Sequence, residues 1–210
     1  MNKQQLVKFI SKYNLGGLVN SAILSFKDNT LNTRFTSGDK SLLGILSMDK
    51  WDFEDGEFGV YNTEQLVKLL SVLDDDVTMS VTKAGDKAVS IQLSDTVSKV
   101  NYMLTDTSVI SRPPVPESLP QNFELKININ PQFISKFISG KQALPETDTF
   151  TVFTKNNTTS NATNFKEILS ANKECESAIL EVSPDGIAKI TFKIDNYKST
   201  YYLVAVQDVD

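Results

Sequence analysis

The stretch Val109-Ile110-Ser111-Arg112-Pro113-Pro114-Val115-Pro116-Glu117-Ser118-Leu119-Pro120-Gln121-Asn122 holds four of the seven prolines in the chain and falls just past its midpoint. Proline fixes φ, removes a backbone donor and pushes the residue before it toward extended backbone. Arg112 to Pro120 therefore reads as a stiff, extended connector, neither helix nor paired strand. The sequence on each side follows a similar order of elements. That divides the chain into a first half-domain over residues 1–108, a Pro-rich connector over 109–122 and a shorter second half-domain over 123–210.

In the first half, Leu6, Phe9, Ile10 and Tyr13 recur at helical spacing from Asn2 to Tyr13, with Lys8 and Lys12 on the other side. Asn14-Leu15-Gly16-Gly17 ends that helix with residues that tolerate positive φ. Short alternating segments follow at Ala22–Phe26, Leu31–Phe35 and Leu42–Met48, punctuated by Asp28-Asn29 and Gly38-Asp39. They read as an antiparallel meander. A strand at Glu57–Tyr61 follows an acidic loop, and Asn62 and Thr63 cap a helix with Leu66, Leu69, Leu70 and Leu73 inward. After Asp74-Asp75-Asp76 come strands at Val77–Val81, Val89–Leu93 and Val97–Leu104.

The second half repeats this order. Phe123–Ile129 alternates as a strand, and Asn130-Pro131 is an N-cap with proline at the first helical position. Phe133, Ile134, Phe137 and Ile138 form the inner stripe of that helix. A strand at Phe150–Phe153, a polar loop at Asn156–Thr163 and a short helix at Asn164–Ala171 follow. Ala178–Val182, Ala188–Ile194 and Tyr201–Val206 close the chain as a three-strand meander. The fold class is α+β: two pseudo-duplicated half-domains, antiparallel sheets outside with helices on one face.

Composition narrows the function. There is no histidine and one cysteine, Cys175, which excludes a zinc site of ordinary ligand type and an intrachain disulfide. The apolar runs are too short for a membrane span, and Met1–Asn14 is amphipathic, unlike a secretory leader. A cytoplasmic protein that is not an enzyme, with no cofactor and no metal, is the expectation. Asp74-Asp75-Asp76 is a solvated turn far more often than a Mg²⁺ site. Ser37-Gly38-Asp39-Lys40 and Ser139-Gly140-Lys141 lack the partner motifs of serine catalysis or a phosphate loop. Asn157-Thr158-Thr159 and Asn161-Ala162-Thr163 match glycosylation acceptors in a chain with nothing to direct secretion.

Net charge is −5, yet the signs separate. Lys8, Lys12, Lys68, Lys136 and Lys166 fall on outer helical faces, while acids gather in turns and strand ends. If the helices share one side of the sheet, they present a mildly basic face suited to phosphate backbones without base reading. Lysines on exposed helices are also ordinary solubility charges, and Glu64 and Glu167 dilute the face.

The duplicated order, the helix lysines, the acidic remainder and the absence of catalytic residues together resemble the DNA sliding clamps, nearest those of tailed phages and the PCNA-type ring. Local likeness lies in Phe58-Gly59-Val60-Tyr61, the Leu66–Leu73 helix, Asp74-Asp75-Asp76, the strap prolines and Tyr201-Tyr202-Leu203-Val204-Ala205-Val206. The resemblance implies a closed homotrimeric ring, loaded by a clamp loader, that encircles duplex DNA and tethers the replicative DNA polymerase as a processivity factor. The compartment would be the cytoplasm, of an infected host cell if the chain is phage-encoded. It implies DNA-facing Lys8, Lys12, Lys68, Lys136 and Lys166. It implies a partner-peptide pocket beside the strap, walled by Val109, Ile110, Val115, Leu119, Tyr202, Val204 and Val206. It implies a subunit interface between Ser98, Val100, Tyr102 and Leu104 of one copy and Phe150, Val152 and Phe153 of the next.

One departure stands out. Leu15–Asn62 has room for several strands, whereas Gly140–Thr163 is short and polar, so a hairpin expected of a clamp domain is missing there. The alternative is a non-catalytic phage structural or adaptor protein that does not bind DNA; such a protein has no need of lysines on helices sharing one side.

Overall fold

The computed structural model describes residues 3–113, 119, 122–152 and 158–205. In chain order the elements are α1 (Lys3–Asn14), β1 (Ala22–Lys27), β2 (Thr30–Thr36), β3 (Leu42–Asp49), β4 (Gly56–Val60), α2 (Thr63–Ser71), β5 (Thr78–Ala84), β6 (Lys87–Ser94) and β7 (Lys99–Met103). Then come β8 (Leu125–Ile129), α3 (Pro131–Ala143), β9 (Thr149–Val152), β10 (Thr158–Asn161), α4 (Ala162–Ala171), β11 (Ala178–Ser183), β12 (Ile187–Ile194) and β13 (Tyr197–Val204). The chain forms two compact units, Met1–Phe35 with Ser47–Arg112, and Thr36–Leu46 with Pro113–Asp210. The α+β class, with antiparallel pairing in each unit, matches the reading of the sequence.

In the first unit, α1 and α2 pack together, β1 lies between β4 and β2, and β5-β6-β7 is a meander of its own. Helix α1 forms because Leu6, Phe9, Ile10 and Tyr13 make one apolar stripe, and all four are buried. The Tyr13 hydroxyl meets that of Thr63 at 3.1 Å, and Thr63 donates to the Asn20 carbonyl. Enclosure raises the Tyr13 phenol well above its usual range. Asn62 caps α2, accepting from the Gln65 amide at 3.0 Å, as its position before the leucine stripe predicts. Phe26 gathers Phe53, Phe58 and Trp51 at ring-centroid distances of 4.9, 5.3 and 6.3 Å.

Asp74-Asp75-Asp76 serves the chain itself. Asp75 accepts from Gln4 at 3.0 Å and pairs with Lys3 at 3.7 Å, close to the positive end of α1. The Asp74 amide donates to Asp95 at 2.8 Å.

The second unit orders its strands β3-β13-β12-β11-β8, with β3 contributing Leu42–Leu46. Ser41 ties this early segment in: its carbonyl accepts from the Val204 amide at 2.9 Å and its hydroxyl from Asn164 at 2.9 Å. The hairpin reading of Gly38-Asp39 did not anticipate that placement. Asn130 and Asn161 cap α3 and α4, accepting from Phe133 and Asn164 at 2.8 Å each. The Asn161 sequon is therefore a helix cap. Phe165 is the hub beneath the helices, 4.6 Å from Phe150 and 4.9 Å from Phe137. Asn172, fully buried, donates to Tyr201 Oη at 3.0 Å and to the Ile168 carbonyl at 2.9 Å, and accepts from Ser199 at 3.0 Å.

Asn156–Thr163, read as a loop, instead holds β10 over Thr158–Asn161 and the start of α4. Between α3 and α4 the described residues hold only the short β9–β10 pair, so this region is smaller than the β1–β4 part of the first half. The last strand starts at Tyr197, four positions before the sequence reading, because the two-residue turn Asp195-Asn196 follows β12 directly. The extended reading of the strap falls on 114–118 and 120, which lie outside the described residues, as do Val206 and Phe153.

Candidate functional site

The helix lysines do not behave alike. Lys8 and Lys136 are exposed on α1 and α3. Lys68 on α2 has a side chain 80% exposed and reaches Glu64 at 4.0 Å, one helical turn away. Such surface pairs are worth a few tenths of a kcal/mol, so this contact leaves Lys68 available to another anion. Lys166 is half-buried on α4 and holds Glu167 at 2.6 Å, which takes up much of its field. Lys12 corrects the sequence reading: it is 1% exposed, one of the largest enclosed side chains. Periodicity put it opposite the apolar stripe. The chain leaving α1 turns back at once through Leu15–Gly17, where Val19 donates to the Asn14 carbonyl. A side chain so enclosed cannot present its ammonium to a phosphate.

The root of the strap is held in the first unit by four devices. Thr105 bridges to β4, its amide donating to the Gly59 carbonyl at 2.9 Å. Asp106 accepts from the Ser108 amide at 3.0 Å and from Lys87 at 3.2 Å; these contacts, the Ser108 amide first, hold its carboxyl at about 2. Ile110 is buried, while Val109 beside it is 63% exposed. Arg112 then forks onto Glu57, Nη1 to Oε1 at 3.0 Å and Nη2 to Oε2 at 2.6 Å. Charged hydrogen bonds from Arg112 hold the Glu57 carboxyl below its usual value of 4.5, with Arg34 adding to the effect.

Glu57 is depressed in the folded chain, so its contribution is complete above about pH 4.5 and is lost as pH falls through the lowered value. Both groups are near half-exposed, which keeps the fork to about 0.5–1 kcal/mol. Arg112→Ala is expected to lower stability by that amount at pH 7 and to change it little at the acid end, checked by urea titration at both pH values.

Of the other pocket candidates, Tyr202 is buried, Val204 is 51% exposed and Leu119 is half-buried, all in the second unit. Val115 and Val206 lie outside the described residues.

The interface candidates among the described residues are all buried or half-buried. On β7 and the residues flanking it the inward side chains are Ser98, Val100, Tyr102 and Leu104; Tyr102 is 2% exposed and its hydroxyl both donates to the Asn62 carbonyl at 3.1 Å and accepts from the Asn62 amide at 3.0 Å. The outward ones are Lys99, Asn101 and Met103, because alternate residues of a strand face opposite ways. What β7 offers is the backbone of an end strand in the order β5-β6-β7. Phe150 is likewise committed to the Phe137 and Phe165 rings, and Val152 is half-buried. Beside Phe150 an apolar cavity of about 180 Å³ opens between Phe137, Gly140, Leu144 and Ala162.

No family model matches the sequence, and no curated protein matches it. Solved structures do. The chain superposes on the proliferating cell nuclear antigen (PCNA) of Entamoeba histolytica with a TM-score of 0.76 and 14% identity, covering 98% of this chain and 96% of that one. PCNA of A. fulgidus, solved with the C-terminal region of FEN-1 bound, gives 0.77 at 12% identity over 100% and 98%. The PCNA2–PCNA3 complex of Sulfolobus tokodaii gives 0.73 at 11% over 98% and 97%. The fold is that of the PCNA sliding clamps. The likeness extends over 96–98% of each neighbour's chain. None of these structures is a phage protein, and the likeness reaches the clamp fold without singling out the tailed-phage type. No helix among the described residues is long and apolar enough to cross a membrane.

Proposed function

We propose that this chain is the subunit of a sliding clamp, a non-catalytic ring that encircles duplex DNA and tethers a replicative DNA polymerase. The observation that supports the reading is coverage: the clamp fold accounts for the chain from end to end, at TM-scores of 0.73–0.77. Lys8, Lys68 and Lys136 are the DNA-facing set, with Lys166 a weaker member. In a topological tether these charges need only attract phosphates non-specifically, which suits scattered lysines on an acidic protein.

Copies associate head to tail as a homotrimer, β7 of one copy pairing through its backbone edge with the β9 region of the next. The apolar cavity beside Phe150 then receives a side chain from the neighbour. A partner peptide of polymerase or clamp loader docks at the root of the strap, on exposed Val109. Tailed-phage origin, and with it the cytoplasm of an infected cell, belongs to this proposal.

The test is topological. Clamps assembled on a nicked circle with a loader are expected to stay bound, and to be lost within minutes of linearising the circle. Equal retention on both forms would replace the ring with ordinary surface binding, and no retention on either would favour the adaptor reading. Light scattering of the free protein is expected to give about three subunits at high concentration. Ile110→Asp places a charge at a buried position and is expected to cost about 3 kcal/mol of stability. Val109→Asp at the exposed neighbour is expected to leave stability within about 0.5 kcal/mol and weaken partner-peptide binding, read by thermal melts and fluorescence anisotropy.

A further inference from the structure

The outward face of the second unit's sheet carries charge that the proposed DNA-facing set does not include. Its inward face is the core, with Leu180, Ile190, Phe192, Tyr201 and Leu203 buried. The register fixes what lies outward, in rows across the strands. One row runs Lys126, Glu181, Lys189, Tyr202; the next runs Asn128, Ile179, Thr191, Thr200; then Lys193 lies directly opposite Lys198. Glu181 is shared by Lys126 at 3.1 Å and Lys189 at 2.6 Å, so its single negative charge answers two positive ones. Lys193 and Lys198 are exposed and enter no ion pair among the described residues. Like charges directly opposite across a ladder oppose pairing, so the strands hold them together against their own repulsion. The acids that face this patch are Glu181 within it, Asp195 in the turn between Lys193 and Lys198, and Glu124 beyond Lys126 at the far edge. The balance over the rows is positive on a chain of net charge −5.

Among these lysines stands Ile179, 47% exposed in mid-sheet. The aromatic groups nearby are not open for stacking: Tyr202 is buried and Phe123 is covered by the Lys189 ammonium at 5.0 Å. Single-stranded nucleic acid needs free aromatic faces as well as positive charge. An aliphatic side chain ringed by ammonium groups fits a different ligand. We propose that this face docks an acidic peptide segment of a partner protein, its carboxylates on Lys193 and Lys198 and one aliphatic residue against Ile179. Charge complementarity supplies the encounter and the aliphatic contact sets the register.

The test titrates the full chain into a fluorescein-labelled peptide of Glu and Asp around one central Leu, read by anisotropy at low salt. Neither ring closure nor DNA enters this assay, so its outcome is separate from that of the clamp reading. Saturable binding is expected, about tenfold weaker for K193E/K198E and about fivefold weaker for Ile179→Ser, because one site loses charge and the other its apolar anchor. Both variants change exposed residues, and circular dichroism checks that they fold. Unchanged affinity in K193E/K198E, no saturation at low salt, or tighter binding of labelled oligo-dT through the same lysines would each overturn the proposal.

Discussion

Gly59→Ala is expected to destabilise the protein by about 2–3 kcal/mol, the range for forcing extra volume into a close-packed site. A Cβ at this position would stand 2.4 Å from the Thr105 carbonyl oxygen and 3.0 Å from its γ-methyl. The nearer atom is backbone, so no rotamer change relieves the clash. Either β4 or the Thr105 segment must move, and the movement breaks the hydrogen bond from the Thr105 amide to the Gly59 carbonyl. Alanine narrows the unfolded ensemble and returns about 0.4–1 kcal/mol, which the clash outweighs. The measurement is urea denaturation followed by circular dichroism, with Thr105→Ser as control. Serine removes the γ-methyl and leaves the carbonyl, so Gly59→Ala in that background should recover little. A loss below about 0.5 kcal/mol, the scatter of neutral surface changes, would mean that the strap root is not fastened at Gly59. Because Thr105 leads through Asp106 and Ile110 to Arg112, loosening it should also raise hydrogen exchange at the Ile110 amide, which donates to Thr107.

What could be read from the sequence divides along physical lines. Local rules worked where one local interaction decides the outcome. The α1 stripe and the Asn62 and Asn130 caps are each set within a few residues, and each is where it was expected. The misses depend on distant partners. Arg112 and Glu57 are 55 positions apart, and neither residue alone announces a fork. Gly59 sits in an ordinary strand pattern, and only the approach of Thr105 makes glycine necessary. Thr36–Leu46 joins the second unit through Ser41, a contact over 123 positions with Asn164. Thr158–Asn161 looked too polar for a strand because its pairing with β9, a tertiary fact, was out of view. Lys12 failed for the same reason: helical phase tells which residues share a side, while burial on a flank depends on what packs there.

That failure sharpens the test of the DNA-facing set. K8E/K68E/K136E together is expected to shorten polymerase runs on a primed circle by at least about tenfold, since each reversal replaces phosphate attraction with repulsion and the effects accumulate along the duplex. All three residues are exposed, so stability should stay within about 1 kcal/mol of the parent. Lys12→Met is the internal contrast. It removes one of the five lysines first grouped by helical periodicity, but from an enclosed position, so it should alter stability and leave run length and salt dependence as they were. Comparing the two separates charge that reaches DNA from charge that merely lies on the same helix. If Lys12→Met shortened runs as much as the triple reversal at equal stability, α1 would have to open to expose its last turn. If neither changed them, the helices would not face the duplex, and the clamp fold here would serve a purpose other than holding DNA.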